Sequence, residues 1–220
     1  MNIFFIRHAE SLKSVQNRHG GRGLPVTKQG EFDIAEIIFF LENEENVRFD
    51  KALLFCSDRI QVVETAKIIE SLKQISFQIE NAIRNISLGV LDGLSDEEAL
   101  LKYPSEAINL AKWRKGLINI DDFTIPNAET MEEFYRRIFL FISSLVRQEK
   151  DVVLIGTRSV GVAIANIFNN FNSEIEINNY RRYKFDPASI SKFLYIENTP
   201  KLEYINRTDF LSVKPKYPDE

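Results

Sequence analysis

Arg7 and His8 stand side by side directly after the apolar run Ile3-Phe4-Phe5-Ile6, and Ala9-Glu10-Ser11 follow them. An imidazole is a good nucleophile toward phosphorus, and a guanidinium meets phosphate oxygens in a two-pronged fork. In an α/β protein the carboxyl end of a strand is where the sheet meets its ligand crevice. The pair therefore points to a phosphoryl group or another oxyanion, with His8 as candidate nucleophile and Arg7 as candidate clamp. Few other residues compete for the chemistry. Two histidines and one cysteine are too few for a zinc cluster, and neither a Walker loop nor a dinucleotide fingerprint is present. No metal or organic cofactor is expected. Cys56 closes the apolar run Leu53-Leu54-Phe55-Cys56 and reads as a buried strand thiol. His19, beside Gly20-Gly21-Arg22-Gly23, reads as exposed.

The elements that must position this pair follow from hydrophobic periodicity. Ile34, Ile37, Ile38 and Leu41 recur at helical spacing within Lys28 to about Asn46. A strand, Ala52 to Cys56, comes next. Ser57-Asp58 is the expected cap of a helix from Ile60 to Lys73, with Ala66 and Ile69 on its apolar face. Phe77 to Ile79 reads as a short strand, and Asn81 to Leu94 as irregular. Ser95 to Lys102 and Ser105 to Lys115 read as two helices split by Pro104. Thr130-Met131-Glu132-Glu133 is a capping box. It opens a long helix with Met131, Phe134, Ile138, Phe141 and Leu145 on one face. Asp151 to Gly156 is almost wholly apolar, as a central parallel strand should be. A helix from Ser159 to about Phe168 and strands at Ile190 to Ile196 and Leu202 to Asn206 complete the chain.

This alternation predicts an α/β fold, a three-layer sandwich whose mostly parallel central sheet is flanked by helices. The 220 residues are expected to form one domain. A helical insertion over approximately residues 95–128 is expected to lie across the active-site end. A net charge of -4 provides no basic field for nucleic acid. The densest basic cluster, Arg181-Arg182-Tyr183-Lys184, reads as solvated surface. No leader or bilayer-length apolar stretch is evident, so a cytoplasmic location and no membrane partner are expected.

An ordered series of segments resembles the histidine phosphatase superfamily, the phosphoglycerate-mutase-like enzymes. Arg7-His8-Ala9-Glu10-Ser11 is followed by Asn17-Arg18 and Leu24-Pro25-Val26-Thr27-Lys28-Gln29-Gly30. Ser57-Asp58-Arg59-Ile60-Gln61-Val62-Val63-Glu64-Thr65-Ala66 is similar to the family's Ser-x-x-x-Arg-x-x-Glu-Thr-Ala segment. Leu88-Gly89-Val90-Leu91-Asp92-Gly93-Leu94, Ala128-Glu129-Thr130, Val153-Leu154-Ile155-Gly156-Thr157 and Ile205-Asn206-Arg207-Thr208 match later family segments in order. The resemblance implies that His8 takes the phosphoryl group, with Arg7 and Asn17 as hydrogen-bond donors to phosphate and Ser14, standing where many members have asparagine, as a further hydroxyl donor. It also shows departures. Gln61 stands in place of a second clamping arginine, Asn85 in place of the general-acid glutamate, and Thr157 in place of a second histidine.

These exchanges keep hydrogen-bonding ability but remove a positive charge, a transferable proton and an imidazole. A positioned general acid contributes roughly 10²–10⁴-fold, so ordinary phosphomonoester hydrolysis is not the favoured expectation. Arg158, adjoining Thr157, and Arg59 are candidates to return positive charge to the pocket. An arginine at a helix start opposes the dipole unless an anion is present. Asp92 and Glu97 are the other candidate proton donors. Two functions follow. One is a phosphoryl-transfer enzyme of weak or altered activity, acting through His8 on a phosphorylated small molecule. The other is an inactive relative that binds a phosphorylated ligand, another anion or a protein. Family members often self-associate, so the resemblance also implies a homodimer.

Overall fold

The computed structural model describes residues 1–12, 23–146, 148, 150–169, 182–196 and 199–215. Four strands, β1 (Asn2–Arg7), β2 (Leu53–Cys56), β3 (Gln78–Ile79) and β4 (Val152–Gly156), run parallel. Two more, β5 (Ile190–Ile196) and β6 (Thr199–Arg207), extend the sheet antiparallel on the far side of β1. The order is β3-β2-β4-β1-β5-β6. The helices are α1 (Lys28–Asn43), α2 (Ile60–Lys73), α3 (Asp96–Lys102), α4 (Pro104–Arg114), α5 (Met131–Val146) and α6 (Arg158–Asn169).

Alternation along the central strands explains the three layers. Successive side chains of a strand point to opposite faces. Phe4 and Ile6 of β1, with Val153 and Ile155 of β4, join one core with Ile34, Ile37 and Leu41 of α1 and Val62, Ala66 and Ile69 of α2. Ile3, Phe5, Val152 and Leu154 face the other core, with Phe134 and Ile138 of α5 and Val160 and Ile164 of α6. Both faces being covered, β1 and β4 had to be apolar throughout. Ala99, Leu110 and Trp113 of α3 and α4 feed the second core. No described helix is long and apolar enough to cross a membrane.

Element ends differ from the sequence reading by a residue or a few. Pro104 does not merely split α3 from α4; it begins α4, where its missing N–H costs nothing. Thr130 and Glu133 exchange the reciprocal bonds of the expected box, 2.9 and 3.2 Å. On α5 the fully buried positions are Met131, Phe134, Tyr135, Ile138, Ile142 and Leu145. Phe141 is half-buried, its ring edge-on to Phe55 at 5.2 Å. The expected cap of α2 is wrong. Arg59 occupies the cap position, with no side-chain bond to the helix. Ser57 lies fully buried in the sheet end instead.

Candidate functional site

The sheet order brings three strand ends together. Arg7 pairs with Gly156, and Cys56 with Ile155, so the residues just beyond them, His8, Thr157 and Ser57, emerge along one edge. The His8 amide donates to the Gly156 carbonyl (3.1 Å) and the Ser57 amide to that of Ile155 (3.1 Å). On the other flank Arg7 N–H bonds the Ser189 carbonyl at 3.0 Å. His8 is buried, only 4% exposed. Its Nδ1 lies 2.8 Å from the Ala9 carbonyl. A carbonyl oxygen only accepts, so in the neutral ring Nδ1 carries the hydrogen and Nε2 the lone pair. That is the tautomer a nucleophilic imidazole needs.

Three struts hold the loop that carries His8. Thr65 Oγ1 accepts from the Ala9 amide (3.1 Å) and donates to the Gln61 carbonyl (2.7 Å), locking the histidine loop to the first turn of α2. Glu64, beside it, accepts from Val26 N–H at 2.7 Å. Thr27 caps α1 by accepting from Gly30 N–H, while its hydroxyl donates to Glu10 at 2.7 Å. Gly30 is required there. A Cβ at that position would stand 2.5 Å from the Glu10 carbonyl oxygen. On the β5 side, Ala188 donates to the carbonyls of both Arg7 and His8 (3.1 Å each) while holding a left-handed φ of 61°. A non-glycine residue rarely adopts that conformation, and such strain persists only where the surroundings impose it. Two residues earlier, Asp186 is gripped by Asn206 through its backbone N–H and its carboxylate.

Asn85, Thr157 and a residue the sequence reading missed, Ser159, form one cluster. Thr157 Oγ1 donates to Asn85 Oδ1 at 3.0 Å, Ser159 Oγ donates to the same oxygen, and the two hydroxyls are 3.2 Å apart. Both hydroxyls converging on Oδ1 leave the Asn85 Nδ2 as the end of the amide that faces elsewhere as a donor. A second hub fixes the segment that bears Asn85. Glu129 accepts from Arg137 Nε at 2.6 Å, and Arg137 donates onward to the carbonyls of Ala82 (2.5 Å), Arg84 (2.9 Å) and Asn85 (3.3 Å). Gly89 closes the turn at φ 55°, against the backbone of Pro126 and Ala128. Arg137 gave no sequence signal, because it lies eight residues past Glu129 in an ordinary amphipathic helix.

The remaining expected site residues divide. Gln61 is buried, 2% exposed, with its Oε1 unpartnered against Gly23. Ser57 Oγ and Ser189 Oγ are likewise buried without a partner. Arg7 Nη1 donates to the Phe185 carbonyl. Arg158 is half-buried at the first residue of α6, and Arg59 half-buried at the start of α2. Ser14, Asn17 and His19 lie outside the described residues. Asp92 holds the turn, its Oδ2 accepting from Ser87 Oγ (2.9 Å) and Leu88 N–H (3.2 Å). Glu97 is exposed in the first turn of α3. Cys56 is no rival nucleophile. Burial, with Glu70 and Asp58 adding to it, pushes its thiol up to about 11.

Comparison with known proteins agrees with this architecture. A protein of Caenorhabditis elegans, 6-phosphofructo-2-kinase/fructose-2,6-bisphosphatase, is 25% identical over 155 residues, which are 70% of this chain and 31% of the relative. The chain thus spans about a third of the length of that relative. Among solved structures, the α-ribazole phosphatase of Shigella flexneri superimposes with a TM-score of 0.76 at 18% identity, covering 94% of this chain and 96% of the other. A phosphoserine phosphatase of Entamoeba histolytica, solved with phosphoserine, gives 0.72 at 17% identity, covering 96% and 98%. Both likenesses concern the fold. The sequence profile of the histidine phosphatase superfamily, branch 1, matches residues 3–208. With that match running from the first strand to the last, the chain belongs to the histidine phosphatase superfamily.

Proposed function

We propose that this protein is a phosphoryl-transfer enzyme of altered activity, in which His8 Nε2 accepts the phosphoryl group from a substrate whose leaving group needs no proton. The observation that carries this reading is the pairing of a buried Nδ1–H imidazole with a neutral Asn85–Thr157–Ser159 cluster. Nε2 attacks phosphorus, a P–N bond forms, and the P–O bond to the leaving group breaks with its electron pair. Asn85, Thr157 and Ser159 are all neutral and offer hydrogen bonds, but none supplies a proton at ordinary pH. An alkoxide therefore leaves slowly, whereas a carboxylate from an acyl phosphate or a phosphate from an anhydride leaves unaided. Arg7, Ser14, Asn17, Gln61 and Thr157 are assigned to the equatorial oxygens. Arg158, at the positive end of α6, restores some of the charge that Gln61 lacks. Water then attacks the phosphohistidine, the P–N bond breaks, and phosphate departs. The neutral Asn85–Thr157–Ser159 cluster offers that second step no base, so it is slow and the phosphoenzyme accumulates.

Intact-mass measurement after incubation with an acyl phosphate, an anhydride and an alkyl phosphate tests this. The expected result is one added phosphoryl group from the first two, absent in His8→Ala. No adduct and no phosphate release from any of them, with His8→Ala indistinguishable, overturns it. A second reading, binding without turnover, is favoured by the neutral residues at positions 61, 85 and 157, which offer hydrogen bonds to an anion but no group to move a proton. Thermal stabilisation by phosphate esters that disappears in Arg7→Ala, without any adduct, would select it.

A further inference from the structure

Asn85 is gripped at both its backbone and its side chain. The backbone carbonyl accepts from Arg137 Nη2 at 3.3 Å, and Glu129 holds Arg137 in turn at 2.6 Å. The side-chain Oδ1 accepts from Thr157 Oγ1 at 3.0 Å and from Ser159 Oγ. Thr157 follows β4 directly, Ser159 is the second residue of α6, and both are buried. Two hydroxyls on one carbonyl oxygen use both of its lone pairs. The amide is therefore locked with Nδ2 turned away from them. Asn85 itself is half-buried, and among the described residues its Nδ2 meets no acceptor. The cluster stands one strand from His8, because Thr157 and His8 follow neighbouring strands in which Arg7 lies opposite Gly156.

We infer that Ser159 is a positioning residue that makes Asn85 a fixed donor to the leaving-group oxygen, and so restricts the substrate to phosphoryl groups carried on oxygen. The inference rests on the reading that His8 Nε2 accepts the phosphoryl group, and it specifies what that group departs from. As the P–O bond breaks, its electron pair passes to the bridging oxygen. Asn85 Nδ2–H donates to that oxygen as its charge grows. No proton is transferred, since an amide N–H does not ionise near neutral pH.

A carboxylate leaving group gains from such a donor. An amine leaving group does not. The nitrogen of a phosphoramidate carries hydrogens of its own, so donor meets donor and the group is rejected. A turned amide would reverse this preference by presenting Oδ1 instead. Thr157 and Ser159 both oppose the turn, but their duties differ. Thr157 is also assigned to an equatorial phosphoryl oxygen, and once its hydroxyl turns there, Ser159 alone keeps Oδ1 engaged. Ser159 is thus the residue on which the orientation of the amide depends during the reaction.

The rates at which acetyl phosphate and phosphoramidate phosphorylate His8, read by quenched intact-mass measurement, test this through their ratio. Ser159→Ala should slow the reaction with acetyl phosphate and spare that with phosphoramidate, moving the ratio roughly 10-fold from its wild-type value. Ser159→Thr, which keeps a hydroxyl, should restore it. A ratio unchanged in Ser159→Ala, with both rates lowered alike, would show a merely structural residue and overturns the inference. A second measurement needs no turnover. In His8→Ala, the Asn85 side-chain amide proton resonances, identified by their loss in Asn85→Asp, should move downfield with acetyl phosphate and stay in place with phosphoramidate. Resonances that ignore acetyl phosphate, or follow both compounds equally, overturn the inference. If neither compound labels His8 in wild type, the reading of His8 as acceptor fails, and the amide resonances decide the present inference by themselves. They also decide it if Ser159→Ala does not fold.

Discussion

Two sets of residues around the strand ends treat their polar groups in opposite ways. At the strand ends, Ser57, Gln61 and Ser189 are buried with a side-chain oxygen left unpartnered. In the struts behind them, Thr65, Thr27, Arg137 and Asn206 spend their side-chain groups on named partners. A buried polar atom without a partner costs about 1–3 kcal/mol. That cost persists at a ligand site because the ligand can remove it, whereas a strut has no ligand to wait for. Asp92 and Asn166 also carry a buried, unpartnered oxygen away from the strand ends, so the contrast is one of degree. It still separates the geometry of the site, which the struts fix, from its charge, which positions 61, 85 and 157 set.

The sharpest way to test that separation is to return chemistry without touching the struts. Asn85→Glu puts a carboxyl beside Thr157 and Ser159, where two hydroxyls already donate. Hydrolysis of an alkyl phosphate is expected to rise roughly 10²-fold, with little change for an acyl phosphate, in steady-state assays. Equal gains on both substrates would mean that the carboxyl is not acting as an acid.

Breaking a strut should do the reverse, lowering stability with the pocket residues intact. Glu129→Ala strands the Arg137 guanidinium in a largely buried site, where Glu129 is 8% exposed. A loss of about 3 kcal/mol is expected, read by urea unfolding. Gly30→Ala sets a methyl against the Glu10 backbone and should cost about 2 kcal/mol. A neutral result would mean that the α1 start and the histidine loop move apart freely.

The smallest effect concerns Asp33, a buried acid beneath the same loop. Burial raises its carboxyl above the ordinary 3.8, the Gln29 amide opposes this, and Glu10 and Glu36 add to it. The folded state then holds its proton more tightly than the unfolded state. Stability therefore falls as pH rises from 3.8 through the raised value, and the cost is fully present at neutral pH. Asp33→Asn should stabilise at neutral pH, and the gain should vanish below 3.8, in thermal melts across a pH series. A gain independent of pH would point to packing instead of charge.

Much of this was legible in the residues. The wholly apolar Ile3-Phe4-Phe5-Ile6 and Val152–Ile155 runs required strands covered on both faces, and the helical periods between them required the covering layers. Ordered segments from Arg7 to Thr208 carried the family, and the neutral residues at 61, 85 and 157 could be read directly. Other features could not. Ser57 looked like a cap because Ser-Asp before an apolar helical run is the usual signal, and strand register buried it instead. Arg137 and Ser159 carry no local pattern, since their roles exist only once α5 and α6 meet the segment around Asn85.

The sequence by itself determined which residue types are available at the strand ends and which periodicities must fold around them. Only the tertiary structure decided which imidazole nitrogen is free of its hydrogen, which hydroxyls meet on Asn85, and which residues hold them there. Periodicity is a property of neighbours along the chain. Hydrogen bonds such as those joining Ala9 to Thr65 or Thr157 to Asn85 span 56 and 72 residues, and their geometry comes into being only when the sheet closes.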